Sequence, residues 1–387
     1  MAIKRKTREE ETQLDMAIKK QARMEDRLTA LPHDLQLHIL TFLDTKDAFK
    51  TSLLSKSWAS LWNKTPHLEF NYSVFLNLHV FDKFVNKLLC DRYSDRSANL
   101  DRLTFTRRGI CSAKILNNVF GYAFSHGVKQ LEAAIVNSRN HRWPDCNSPD
   151  ASFESLTNLK LKSAVSMSCP FLWSRSGSFK NLTDLYLMRA RITDRDPFSG
   201  FPMLEKLRLE NCYFSEEIET LSIIAPNLSD LTISSHRCFI GYFELTTPKL
   251  RFLEYQGYYF PQFKNHDGFP AVLDTIVVGY NGVYSQMQEK RMFEDLLSLF
   301  RSLPDAICLR LFLPIVDILS LFQNRLVKKS SPFRKLKCLE IDFGYPEYKN
   351  GYDRPWPFKS FIMPSTVETY LLQNFPDAKV TIIYPKC

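Results

Sequence analysis

Apolar residues follow two regimes along this chain. Between about Asp26 and Pro66 they recur at helical spacing, and from about Leu100 onward they recur at positions one, four and six of a short motif. In the first regime Pro32 suits an opening helical turn, where its missing N–H leaves no bond unmade. Leu35, Ile39, Phe42 and Leu43 then share one helical face. Asp44 or Thr45 is placed to cap a second helix carrying Ala48, Phe49, Ser52 and Leu53. Ser55 is placed to cap a third, in which Trp58, Leu61 and Trp62 stand at i, i+3 and i+4. About forty residues bury little apolar surface alone. This segment nevertheless holds Leu31, Leu35, Ile39, Leu40, Phe42, Leu43, Leu53, Leu54, Trp58, Leu61 and Trp62. Part of that surface must therefore cap the following domain or meet a partner chain.

The second regime is a repeat. Its clearest copies are LTNLKL from Leu156, LTDLYL from Leu182, LEKLRL from Leu204 and LSDLTI from Leu228. Looser copies are LDRLTF from Leu100, VKQLEA from Val128, LRFLEY from Leu250, LDTIVV from Leu273, AICLRL from Ala306 and LKCLEI from Leu336. The starts from Leu182 to Leu273 fall about 22 to 24 residues apart, the spacing of a leucine-rich repeat with one short strand per repeat. In a strand, positions four and six point to one face and position five to the other. The shared face becomes core that each repeat completes on its neighbours. Longer spacers carry helical stripes: Phe81, Phe84, Val85, Leu88 and Leu89; Ile115, Leu116, Val119, Phe120, Ala123 and Phe124, closed by Gly127; Met292, Phe293, Leu296, Leu297 and Phe300; and Ile315, Ile318, Leu319, Phe322 and Leu326. They form the convex layer of an α/β solenoid.

Composition narrows the function. The 387 residues are 44% hydrophobic with only 12 glycines, which excludes a mostly disordered chain and disfavours a Gly-rich phosphate cradle. No apolar run reaches the length of a membrane span, and the charged N-terminus lacks the apolar core of a secretory signal. The nine cysteines are scattered without a CxxC pair, the pattern of free core thiols in a reducing compartment. The net charge of +9 is spread along the chain with acidic residues interleaved, which disfavours direct nucleic-acid binding. Lys4-Arg5-Lys6 reads as part of a solvated tail, with nuclear import as the functional alternative. No nucleotide, zinc-protease or nucleophile-elbow motif is present. His33 and His38 are five apart, wrong for sharing a metal on one helical face, and no metal, cofactor or catalytic residue is assigned.

The segments LPHDLQLHILTFL, Thr45-Lys46-Asp47-Ala48 and LLSKSWASLW resemble, in that order, the F-box, especially its plant version. With the repeats, the likeness extends to plant F-box proteins with leucine-rich repeats. Phe49 stands where that family usually has a small branched residue, and Ser57 where a basic residue is common. The C-terminal stretches LKCLEIDFGYPEYKNG and TVETYLLQNFPDAKVTIIYP partly resemble the FBD segment that ends many of these proteins. The resemblance implies a three-helix module followed by a solenoid with a curved parallel sheet inside and helices outside. The expected organisation is a charged tail over 1–25, the F-box over 26–66, a helical linker or cap over 67–99 and the repeat domain over 100–387.

The resemblance also implies a function. The chain is read as the non-catalytic substrate receptor of an SCF-type cullin–RING ubiquitin ligase, acting in the cytoplasm, the nucleus or both. Its partners are then a Skp-family adaptor, a cullin reached through it, and an unknown target protein, with no membrane involved. Carried over by position, the adaptor contacts are Leu31, Pro32, Leu35, Ile39, Leu40, Leu43, Leu54, Ser55, Trp58 and Leu61. The strand positions facing away from the leucines nominate a target surface of Lys160, Lys162, Tyr186, Met188, Arg208, Glu210, Thr232, Glu254 and Gln256. The competing readings are a repeat scaffold with no ligase role, an enzyme with its site built on the solenoid, and a receptor holding a small ligand or polyphosphate.

Overall fold

Short helices open the chain and parallel strands fill the rest. The computed structural model describes residues 28–93, 100–136, 142–146, 152–174, 176–235, 240–265, 273–280, 289–343 and 362–384. The expected N-terminal tail and the proline-rich stretch YPEYKNGYDRPWPF lie outside the described residues. Two compact units divide between Phe105 and Thr106.

In the first unit, α1 (His33–Leu40) starts directly after Pro32, which holds φ −52° and ψ 146° at the cap. The Asp44 carboxylate accepts the Asp47 N–H at 2.7 Å and so caps α2 (Thr45–Lys50). The expected third helix is replaced by two 3₁₀ turns, Thr51–Leu53 and Leu61–Lys64, with turn backbone between them. The Ser55 hydroxyl does not cap. It accepts from Thr29 Oγ1 at 3.2 Å and meets Ser57 Oγ at 2.9 Å. Both bonds are side chain to side chain, and the one to Thr29 ties Ser55 to a residue 26 positions earlier.

The core of this unit gathers Leu40, Ala48, Trp58, Leu61 and Trp62 with Leu68 and Phe70 of β1 (His67–Asn71). Phe81, Val85, Leu88 and Leu89 of α3 (Leu78–Tyr93) are buried too. Fully buried Arg92 donates to the Trp62 carbonyl at 3.0 Å and to the Thr65 carbonyl at 2.9 Å. A guanidinium without acceptors would be costly there, so these bonds fix the turn that carries Trp62. The division between the units falls within β2 (Arg102–Arg108).

The second unit begins with α4 (Ala113–Ser125), capped by Ser112. Gly127, at φ +63°, reverses the chain after it, and the Val128 N–H returns to the Ala123 carbonyl at 3.1 Å. This is the left-handed helix ending that favours glycine. The remaining elements are β3 (Gln130–Val136), β4 (Asn158–Ser168), α5 (Pro170–Ser174), β5 (Asp184–Ile192), β6 (Lys206–Glu210), β7 (Tyr213–Phe214), β8 (Thr220–Ile224), β9 (Asp230–Ser235), β10 (Tyr242–Thr246), β11 (Phe252–Gly257), β12 (Gln262–Asn265), β13 (Leu273–Tyr280), α6 (Glu289–Ser302), β14 (Ala306–Phe312), α7 (Leu313–Leu321), α8 (Gln323–Leu326), β15 (Cys338–Asp342), α9 (Ser365–Leu372) and β16 (Lys379–Ile383).

One sheet runs β3-β4-β5-β6-β9-β11-β13-β14-β15-β16 with every pairing parallel. Its register is the sequence frame. Position four forms the row Leu131, Leu159, Leu185, Leu207, Leu231, Leu253, Ile276, Leu309 and Leu339, all of it buried. Position six forms a second buried row from Ala133 through Leu161, Leu187, Leu209, Ile233, Tyr255, Val278 and Leu311 to Ile341. Each repeat therefore stacks its apolar residues on the next, as a one-dimensional array requires.

The layer behind these rows changes along the array. Where spacers are long, helices supply it. The stripes of α4 and α6 are buried, as expected. The fourth stripe breaks at Phe322, φ −118° and ψ 34°, between α7 and α8. Behind β4 to β6, aromatic side chains fill the layer: Phe171 lies 5.7 Å from Phe120, 5.9 Å from Phe124 and 6.3 Å from Phe179 between ring centroids. Between Leu204 and Leu273 a second parallel sheet, β12-β10-β8, takes the place of helices and buries Leu221, Ile223, Phe243, Leu245 and Phe263.

Candidate functional site

Two surfaces stand out, one in each unit. In the N-terminal module, Leu53 is 86% exposed, Phe42 76% and Leu54 60%. Leu28, Leu35 and Leu43 are exposed as well. The core of the module is already filled by Leu40, Ala48, Trp58, Leu61 and Trp62. The two 3₁₀ turns explain the split. The turn over Thr51–Leu53 puts Leu53 and Leu54 outside, whereas the later turn brings Leu61 and Trp62 inward.

The predicted adaptor contacts separate accordingly. Pro32, Leu35, Leu43 and Leu54 are exposed, and Leu31, Ile39 and Ser55 are half-buried. Leu40, Trp58 and Leu61 are corrected: each is only 1% exposed, so it holds the module together and has no surface to offer a partner. Phe42 and Leu53 belong with the exposed set and were missing from the predicted contacts. Their signal is apolar character left over once the core is filled, which the sequence does not display.

The second surface is the sheet face opposite the leucines. Position five forms the row Glu132, Lys160, Tyr186, Arg208, Thr232 and Glu254. The residue after position six forms a parallel row: Ala134, Lys162, Met188, Glu210, Ser234 and Gln256. Tyr186 is the hub. Its hydroxyl donates to Glu210 Oε2 at 2.5 Å, the Lys162 ammonium lies 5.5 Å from its ring centroid, and the Arg208 guanidinium lies 5.3 Å away. Lys162 also pairs with Glu132 at 2.6 Å. Burial first, then the bond to Glu210, raises the Tyr186 hydroxyl above its usual range, so it stays a neutral donor at physiological pH.

Of the nine predicted target-facing residues, Lys160, Lys162, Tyr186, Met188, Glu210, Thr232 and Glu254 are half-buried and Arg208 is exposed. Gln256 is corrected. It is 8% exposed and donates to Glu254 Oε1 at 2.6 Å, beside Gly279, whose backbone leaves the side chain room to fold down. The charged surface therefore narrows beyond Glu254, where the row continues into buried Val277.

Comparison with known proteins connects these surfaces to a family. The F-box domain model matches residues 28–69, the segment that carries the exposed leucines. F-box/LRR-repeat protein 25 of Arabidopsis thaliana is 31% identical over 226 residues, covering 56% of this chain and 79% of that relative. The chain belongs to the plant F-box/LRR-repeat family. Another F-box/LRR-repeat protein of the same plant is 27% identical over 291 residues, 72% of this chain and 89% of the relative. A putative FBD-associated F-box protein, also from Arabidopsis thaliana, is 27% identical over 259 residues, 65% of this chain and 60% of its own length. No solved structure matches the chain. The exposed leucines thus lie within the F-box, and the tyrosine-centred charge cluster lies in the LRR sheet.

Proposed function

We propose that this F-box/LRR protein is the substrate-recognition subunit of an SCF-type cullin–RING ubiquitin ligase. Its F-box docks a Skp-family adaptor, which links it to a cullin, and the open face of its LRR sheet receives the target. The observation that carries this reading is the exposure of Leu35, Phe42, Leu43, Leu53 and Leu54 on a module whose own core is complete. Apolar side chains concentrated on one short segment are costly in water and mark a surface covered by a partner. The chain itself supplies no chemistry in this scheme. Holding a target lysine near a charged conjugating enzyme raises its effective concentration. Such a complex acts in the cytoplasm, the nucleus or both.

Affinity purification of the full chain followed by mass spectrometry tests this. Adaptor and cullin peptides are expected in the same eluate as target candidates. Recovery of binding partners with neither adaptor nor cullin would instead support a repeat scaffold outside any ligase.

The open sheet face gives a second expectation. Tyrosine and arginine are frequent binding hot spots, and truncating such a residue typically costs about 2 kcal/mol or more. Tyr186→Ala combined with Arg208→Ala is therefore expected to reduce capture of authentic targets by at least roughly tenfold. Adaptor recovery should remain at the unsubstituted level. Normal capture of every target by the double variant would remove this face from the proposal.

A further inference from the structure

The open sheet face carries a second cluster near its far end, outside the tyrosine-centred surface. Cys308 of β14 and Cys338 of β15 stand directly opposite each other in register. Each precedes a buried leucine, Leu309 or Leu339, so both thiols project on the face opposite the leucine rows. Two residues along, Arg310 and Glu340 form the next cross-strand pair on that face. The sulfurs of Cys308 and Cys338 and a Glu340 carboxylate oxygen all lie within 4.8 Å of one another, and all three residues are half-buried. The three donors therefore converge from one side and remain open to solvent.

We infer that Cys308, Cys338 and Glu340 form a binding site for a thiophilic divalent ion of the zinc class. Two sulfurs and one oxygen suit zinc, which takes cysteine and carboxylate ligands tetrahedrally. At a zinc–sulfur distance of about 2.3 Å, tetrahedral sulfurs stand about 3.8 Å apart. The cluster reaches that spacing by small side-chain rotations, because the register already fixes the backbones. Glu340 is divided between two roles. Its Oε2 is held by Arg310 Nε at 2.7 Å, while Oε1 lies 3.9 Å from Cys338 Sγ. A ligating carboxylate is commonly anchored in this way by an outer hydrogen bond. Lys379, the register neighbour of Cys338 on β16, is exposed. On binding, each thiol releases its proton to solvent and forms one metal–sulfur bond. The fourth position faces out from the sheet, open to water or to a donor atom of a bound protein.

Cobalt(II) substitutes for zinc and reports thiolate ligation by a sulfur-to-metal charge-transfer absorption. Titration of the reduced full chain is expected to develop this band with one equivalent of Co²⁺. The double variant Cys308→Ser, Cys338→Ser should lose it, and Glu340→Gln should keep the band but weaken affinity at least roughly tenfold. A band absent from the unsubstituted chain, or undiminished in the double variant, would overturn the site. Residue-resolved alkylation of the unsubstituted chain provides a check that needs no variant. Zn²⁺ should slow modification of Cys308 and Cys338 and EDTA should restore it, whereas equal modification with and without Zn²⁺ would refute metal binding.

Discussion

Replacing Leu53 and Leu54 together with alanine is expected to abolish recovery of the Skp-family adaptor without changing the stability of the chain. Both side chains are largely exposed, and surface substitutions of this kind usually shift stability by less than about 0.5 kcal/mol. Fully burying a leucine at an interface is worth about 1.5–3 kcal/mol. Losing most of two such contributions weakens binding by roughly a hundredfold or more. Trp58→Ala provides the contrast. That side chain is 1% exposed, and truncating a buried tryptophan costs about 3–5 kcal/mol. It should also lose the adaptor, but through loosening of the module, visible as a lowered unfolding midpoint. Adaptor binding measured beside urea unfolding separates the two. Unchanged adaptor affinity in the double leucine variant would exclude this surface from the interface.

Phe171→Ala is expected to be among the most damaging single substitutions in the repeat unit. Its ring is fully buried and packs near Phe120, Phe124, Phe153 and Phe179. Removing it leaves a cavity that the surrounding rings close only in part. The expected loss is about 3–5 kcal/mol. Stability in a stacked array is shared between neighbours, so the urea midpoint of the whole unit should fall. Tyr186→Ala, on the open face, should cost no more than about 1 kcal/mol. A smaller loss for Phe171→Ala than for Tyr186→Ala would contradict the assignment of packed and open faces.

The packed face was legible in the sequence because a period of two decides burial before any tertiary contact is known. Leu159 and Leu161 flank Lys160, and the buried pair and the half-buried lysine follow from that alternation. The layer behind the sheet was legible only where spacers were long enough for helices, as with α4 and α6. Between Leu204 and Leu273 the spacers instead form β8, β10 and β12, short strands whose pairing depends on neighbouring repeats.

The F-box surface was read in part. Leu40 and Leu53 are the same residue type in the same module, and only closure of the fold buries the first and exposes the second. The third helix is missing where the Ser55 hydroxyl bonds Thr29, 26 residues back, and Ser57 instead of a helix N-terminus. Gln256 followed the alternation, yet it lies over the space left by Gly279 and is lost from the surface. The Cys308–Cys338 pair was hidden because the two residues belong to different repeats. Both occupy position three of their copies, AICLRL and LKCLEI, so aligning the repeats brings them side by side.

Hydrogen–deuterium exchange on the purified full chain, with and without a purified Skp-family adaptor, tests the central claim most directly. A complex is expected, with added protection concentrated within residues 28–64, around Leu35, Phe42, Leu53 and Leu54, and with the strand bearing Tyr186 unchanged. Failure to form a complex, or protection confined to the repeat strands, would contradict the assignment of the N-terminal module as the adaptor-docking surface.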